Sequence, residues 1–374
     1  MPTDVALMVY SMRSGGVERM RTHLADAFLR RGYSTSIVVA RCDGHWGRHL
    51  PDIPAGASLI DLKADGFKAW LSGFADYLSR EKPKVVIAAM ETAGVIALWA
   101  RARTGVDTRI VVSSHIEVSR HVKRDWHYVK RVALSYLIRR FYRQADGIVA
   151  VSNAVADDLA GFAHQPRDRI TVINNPVVND GLRRAAEEPV DHPWLADDSS
   201  PLILGVGRLT EQKDFATLLK ALALVREHRP ARLMILGEGE EKAALEALAA
   251  SLGLEDHVQM PGFVANPFTY MAKSSVLALS SLWEGLPGVV IQALACGCPV
   301  VSTDCAGGVR EILEDGAYGR LVPVGDHGAM ADAILETLDR PAESQLLLER
   351  AADFHVDKIT ERYLDLMRLP EHVH

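Results

Sequence analysis

The sequence predicts an α/β protein made of two parallel-sheet domains. Three observations carry this. Short apolar runs alternate with amphipathic helical segments along the whole chain. The alternation breaks once, over residues 176–200, and then restarts. Several apolar runs end in glycine-containing turns, as strands feeding helices do. With 374 residues the chain is ample for two buried cores.

The elements follow in order. VALMVY (5–10) reads as a strand, then a glycine turn and a helical run from Val17 to Arg31. STSIVVA (34–40) is a strand, 66–81 a helix, KVVIAAM (84–90) a strand and 94–103 a helix. RIVVSSH (109–115) precedes a long basic helical stretch, 120–144. GIVAVS (147–152), the helix 153–162 and ITVIN (170–174) close the first half. Residues 176–200 hold Pro176, Pro189 and Pro193 among six acids and read as a linker or surface excursion. The second half runs PLILGVG (201–207), helix 214–229, ARLMILG (231–237), helix 240–253 and VQMPGF (258–263). Helix 266–273, VLALSS (276–281), helix 287–296 and PVVST (299–303) follow, then helix 326–338 and a helical tail to about Met367. Near-continuous apolar strands between helices mean a sheet covered on both faces. Ligands of such sheets sit beyond the carboxyl ends of the strands. The expected domains are 1–178, a linker at 179–200, 201–352, and a tail at 353–374 that packs back on the first domain.

Composition excludes several classes. A formal charge of −6 argues against a dedicated nucleic-acid binder. The 14 histidines are scattered and show no HExxH motif, so no metal site is expected. Of the four cysteines, Cys296, Cys298 and Cys305 crowd into one apolar stretch and read as small buried residues in a reducing cytoplasm. Residues 1–10 lack a signal peptide's basic start, and no apolar run is long enough to span a membrane.

The richest stretch is residues 280–305, SSLWEGLPGVVIQALACGCPVVSTDC. Glu284 stands before Gly285-Leu286-Pro287, at the start of a buried helix, and Gln292 lies eight positions on. A helix N-terminus suits an anion. A carboxylate beside it suits hydroxyl groups attached to that anion, as in a sugar diphosphate. Gly205-Val206-Gly207-Arg208-Leu209-Thr210-Glu211-Gln212-Lys213 places two cations five residues apart after a strand. Alone they suit a solvated surface; after a strand they suit a diphosphate. Gly237-Glu238-Gly239-Glu240 fits a wall of the same site or an ordinary tight turn. Ser14-Gly15-Gly16 allows close approach of a ligand or is simply a tight turn. His115, at a strand end, reads as structural or as a hydroxyl partner. Arg120–Arg143 carries eight cations and one acid, with aromatic residues interleaved. That pattern suits anionic lipid or a phosphorylated acceptor, and equally a solvated helix with a buried aromatic back.

Taken together these residues resemble the retaining glycosyltransferases of family 4, which have the two-domain GT-B fold of paired Rossmann-like domains facing a cleft. The resemblance rests on Glu284-Gly285-Leu286-Pro287 with Gln292, on GVGRLTEQKDF (205–215) and on SGGVERM (14–20). Val151-Ser152 and Asn174-Asn175-Pro176 match the family's run as well. It implies a nucleotide-sugar donor, as substrate rather than cofactor, bound mainly by the second domain. The acceptor is implied on the first. Arg208 and Lys213 are then expected on the diphosphate, Glu284 on donor-sugar hydroxyls, and amides near Gly285 and Leu286 on sugar or phosphate. Gly16 is expected to approach the diphosphate on closure, His115 to lie by the reacting sugar, Gly239 to line the donor site, and Phe263 and Val264 to lie by the base.

One position departs from the family. Its second Glu, which binds ribose, is here Gln292. An amide still accepts one hydroxyl hydrogen bond but gives no charge-assisted one. The implied reaction is retaining, metal-independent transfer of a hexose or N-acetylhexosamine from a nucleoside-diphosphate sugar, UDP preferred. The implied acceptor is a glycan or lipid-linked molecule of bacterial envelope or exopolysaccharide synthesis. The implied location is the cytoplasm, against the inner face of the plasma membrane. Two other readings stay open: a UDP-sugar epimerase of the same architecture, and a non-catalytic sugar-nucleotide-binding subunit.

Overall fold

The computed structural model describes residues 3–12, 16–42, 53–120, 128–196 and 200–369. Ser14, Gly15, Lys123, Arg124 and Trp126 lie outside them, as do the side chains of Lys130 and Arg131. The chain forms two compact units: Met1–Pro176 with Val356–His374, and Val177–His355.

The first unit holds strands β1 (Val5–Val9), β2 (Thr35–Val39), β3 (Ser58–Asp61), β4 (Val85–Ala89), β5 (Arg109–Ser114), β6 (Gly147–Ala150) and β7 (Ile170–Val172). They form one parallel sheet in the order β3-β2-β1-β4-β5-β6-β7. Its helices are α1 (Gly16–Arg30), α2 (Gly66–Glu81), α3 (Glu91–Thr104), α4 (Tyr128–Phe141) and α5 (Asn153–Ala163). β1, β2 and β4 are buried along their whole length, which explains their unbroken apolar runs. β3 is an edge strand, half exposed, and its mixed residues hid it from the periodicity reading. α5 starts where Ser152 caps it, its hydroxyl accepting from the Val155 amide. The neighbouring Asn174 amide donates to the Val151 carbonyl at 2.9 Å.

The second unit begins with two short helices, α6 (Asp180–Ala186), capped by Asn179, and α7 (Pro193–Ala196). The segment read as linker is therefore partly helical. Its acids obscured a start signal, the Asn179 side chain accepting from the Leu182 amide. Strands β8 (Leu202–Val206), β9 (Arg232–Leu236), β10 (Val258–Gly262), β11 (Val276–Leu279), β12 (Val300–Thr303) and β13 (Arg320–Val322) form a second parallel sheet. Its order is β10-β9-β8-β11-β12-β13. Helices α8 (Phe215–His228), α9 (Lys242–Ser251), α10 (Phe268–Lys273), α11 (Gly288–Ala295), α12 (Val309–Ile312), α13 (His327–Asp339) and α14 (Ser344–Ala351) cover it. Pro261 is tolerated because β10 is the sheet edge. The last helix, α15 (Val356–Met367), returns to the first unit and buries Ile359, Tyr363 and Met367 in its core, with Phe28 and Leu24 of α1. Among the described residues no helix is long and apolar enough to cross a membrane.

Candidate functional site

In each sheet the strand order reverses between two neighbouring strands. In the second unit these are β8 and β11, which pair with each other. A doubly wound sheet opens at such a point, beyond the carboxyl ends of its strands. The loop after β8 carries Arg208 and Lys213, and the loop after β11 carries Glu284. The topology thus brings two stretches 71 residues apart onto one spot.

Lys213 Nζ lies 2.5 Å from Glu284 Oε1, and Ser281 Oγ donates to the same oxygen at 2.7 Å. The side chains of Lys213 and Glu284 are only 14% and 9% exposed. Around them the two loops are laced by backbone. The Leu282 amide donates to the Gln212 carbonyl at 2.8 Å, the Gln212 side chain donates to the Trp283 carbonyl at 2.8 Å, and the Ser280 hydroxyl donates to the Lys213 carbonyl at 2.7 Å. Thr303, at the end of β12, donates to the Ser281 carbonyl at 2.6 Å. The ion pair is therefore held from both ends, with one carboxylate oxygen committed to it. Arg208 is exposed, and its side chain makes no hydrogen bond or ion pair among the described residues. It is a free fork of donors in the loop that also carries Lys213 of the partly buried ion pair.

Two glycines make this packing possible. A side chain at Gly239 would place its Cβ 2.1 Å from the Leu209 carbonyl oxygen, where the Glu241 amide also bonds at 3.0 Å. At Gly307, with φ of +120°, a Cβ would fall 2.1 Å from the Glu284 carbonyl oxygen. Gly239 thus acts as the contact between the β8 and β9 loops rather than as a wall presented by a side chain. Gly285 accepts from the Gly308 amide at 2.7 Å, and Leu286 is buried. No side chain caps α11 at Pro287, and the Val290 amide donates to the Pro287 carbonyl at 3.1 Å, which leaves the amides before it to a ligand or to solvent. Gln292, about one turn along α11, is half-buried. Phe263 is 38% exposed and Val264 half-buried, both in the loop after β10.

In the first unit the reversal falls between β1 and β4, and Gly16, exposed, opens α1 after β1. His115 follows β5, next to β4, and is 6% exposed. Its Nε2 lies 2.9 Å from Nη2 of Arg21 and 3.0 Å from Ser113 Oγ. Burial, with the Arg21 charge added, pulls the imidazole down to about 3, and Asn175 opposes this only in part.

Some residues escaped the sequence reading. Arg21 occupies a core-facing position of α1, between Met20 and Leu24; a charge inside an apolar stripe was its signal. Ser281, fully buried, differs from many serines only in standing three residues before Glu284. Glu91, 4% exposed at the start of α3, accepts from Ser114 Oγ at 2.6 Å. It follows Met90, whose φ of 73° is rare for a residue with a side chain.

The two halves of the chain match two family models: residues 14–180 match Glycosyltransferase Family 4, and residues 188–353 match Glycosyl transferases group 1. The chain belongs to this family of glycosyltransferases, and its paired parallel sheets are those of the GT-B fold. It is 36% identical over 189 residues to an uncharacterized glycosyltransferase of Methanocaldococcus jannaschii, covering 50% of this chain and 46% of that one. It is 34% identical over 246 residues to the N-acetylgalactosamine-N,N'-diacetylbacillosaminyl-diphospho-undecaprenol 4-alpha-N-acetylgalactosaminyltransferase of Campylobacter jejuni, covering 65% and 64%. These matches span about half to two thirds of those relatives. Over 371 residues it is 27% identical to the lipopolysaccharide core biosynthesis glycosyltransferase LpsE of Rhizobium meliloti, covering 95% and 96%. The fold is shared with Anabaena HepE, crystallised with UDP-glucose, at a TM-score of 0.75 and 19% identity over 98% of this chain and 99% of that one.

Proposed function

We propose that this chain is a retaining glycosyltransferase that moves a sugar from a UDP-sugar to a lipid-linked or polysaccharide acceptor. The observation that carries this is the Lys213–Glu284 pair at the reversal point of the second sheet, with the exposed Arg208 in the same loop as Lys213. A diphosphate leaving group needs compact positive charge that is in place before the bond breaks. Lys213 and Arg208 supply it without a metal ion. Glu284 keeps one oxygen on Lys213 and Ser281, which leaves the other to accept from donor-sugar hydroxyls. Front-face substitution follows: the sugar–phosphate bond breaks, and the acceptor oxygen attacks from the same side. A donor phosphate oxygen takes the acceptor proton. Gln292 accepts from a ribose hydroxyl and also donates. Support for the substrates comes from relatives named for diphospho-undecaprenol and lipopolysaccharide core work, and from the UDP-glucose held by HepE.

The same reading places the protein at an anionic lipid surface. On α4 and just beyond it, Tyr136 is 66% exposed and Val132 50%, with Arg140 and Arg143 exposed near them. Aromatic and basic side chains on one element suit the headgroup region.

The test is thermal shift against UDP-, GDP- and ADP-sugars, followed by transfer to a polyprenyl-diphosphate glycan. A UDP-sugar at one hundred times its Kd adds about 2.7 kcal/mol to stability. No shift and no transfer with any donor would overturn the reading. An epimer formed from donor alone would replace it with the epimerase alternative.

A further inference from the structure

The Arg21–His115 pair in the first unit has a use that the reaction above leaves out. Arg21 is 1% exposed, in the second turn of α1. A buried guanidinium ordinarily meets a carboxylate. Here it meets an imidazole, Nη2 to Nε2 at 2.9 Å, with the Tyr363 hydroxyl and the Glu18 charge as further neighbours, while its Nε and Nη1 make no hydrogen bond among the described residues. Stability does not account for this. One hydrogen bond to a neutral ring returns about 1 kcal/mol, less than the desolvation of a buried ion costs.

The chemistry of the contact is more specific. A guanidinium has donors only, so Nε2 of His115 must offer its lone pair. Ser113 Oγ, 3.0 Å from the same nitrogen and 3.4 Å from Tyr363 Oη, adds a second polar neighbour on that side. A neutral ring with its lone pair on Nε2 carries its proton on Nδ1. That nitrogen is buried and makes no hydrogen bond among the described residues, with the Asn175 side chain a further polar neighbour of the ring. We infer that Arg21 is a positioning residue: it holds His115 neutral and in the Nδ1–H form, so that the ring presents one donor to a hydroxyl or phosphate oxygen of the sugar nucleotide. The ligand side of this inference rests on the reading of His115 as lying beside the reacting sugar; the tautomer does not.

The full chain, labelled with 15N-histidine, gives the direct test. His115 is assigned by the loss of its signals in His115→Gln. In the native protein its Nε2 should show the shift of an unprotonated ring nitrogen and Nδ1 that of a protonated one. Arg21→Met should bring in the Nε2–H form and raise the pH at which the ring titrates, while Arg21→Lys keeps the native pattern. In transfer assays Arg21→Met should lower kcat about tenfold with little change in donor KM. An Nε2–H ring in the native protein overturns the proposal, as does a native pattern retained in Arg21→Met. If Arg21→Met does not fold, the native tautomer and Arg21→Lys still decide. A native Nδ1–H ring in a protein that transfers no sugar faults the glycosyl-transfer reading instead.

Discussion

Lys213 and Glu284 depend on each other, and this sets what single changes do. Removing either leaves a mostly buried charge without its partner, which costs about 3 kcal/mol. Lys213→Met with Glu284→Gln orphans neither charge. Urea unfolding should show each single variant destabilised and the double variant close to native. Turnover should fall by about 10²-fold or more in all three. Recovery of transfer in the double variant would show that the pair is structural. His115 gives a pH signature. Its folded pKa is depressed to about 3, so the unfolded state takes up the proton first as pH falls. The stability it contributes is complete above about 6.5 and is lost between there and about 3. His115→Gln should flatten that acid limb of the stability–pH curve; an unchanged limb would remove His115 as its source. Cysteine reactivity follows from burial as well. Cys296 and Cys305 are pushed up to about 12 and Cys298 higher still, all mainly by burial, while Cys42 is exposed. Titration of the native chain with a thiol reagent should give one fast equivalent, and a denatured chain four.

Among the elements, loops decide the site and helices decide stability, and glycine separates the two. Gly239→Ala drives a methyl group into the Leu209 carbonyl and pushes the β8 and β9 loops apart. It should cost about 1–3 kcal/mol and weaken donor binding. Gly161, exposed in α5, meets nothing within 4 Å of an added Cβ. Gly161→Ala should stabilise by about 0.5–1 kcal/mol and leave activity unchanged. Chemical denaturation of both variants checks the contrast. The elements also show where periodicity serves well. α2 spans Gly66–Glu81, as the apolar spacing predicts, and β1, β2 and β4 lie within their predicted runs. Periodicity fails where an element is short or polar. β3 alternates weakly at an edge, and α6 sits among acids and prolines. Of the basic stretch at 120–144, Arg120 and Tyr128–Phe141 are helical, and several of its cations lie outside the described residues.

For the whole molecule, the decisive feature is that the chain leaves the first unit and comes back. α15 belongs with residues 1–176, where Ile359, Tyr363 and Met367 are buried and Asp357 pairs with Arg30 and Arg31. Each of those three apolar side chains contributes about 1.5–3 kcal/mol through burial. A chain ending at His355 should therefore lose stability in its first unit and keep it in the second. Hydrogen exchange on peptides from the two sheets would resolve this; equal loss of protection in both would show that the units unfold together. The Ser113–Tyr363 contact ties this helix to the His115 environment, so the same truncation should disturb the ring signals of His115.

The two-domain parallel α/β class, the order of its elements and the candidate loops were legible in the amino-acid order because they rest on local signals. Strand runs, helical spacing, capping residues and glycine turns act over a few positions. The pairings that make a site are not local. Lys213 meets Glu284 across 71 residues, and Arg21 meets His115 across 94. No spacing rule announces such contacts; strand order and packing create them. The same physics explains Ser281 and Glu91, ordinary in sequence and distinguished only by being buried beside a partner. Folding alone decides which charges lose their water, and that loss sets their chemistry.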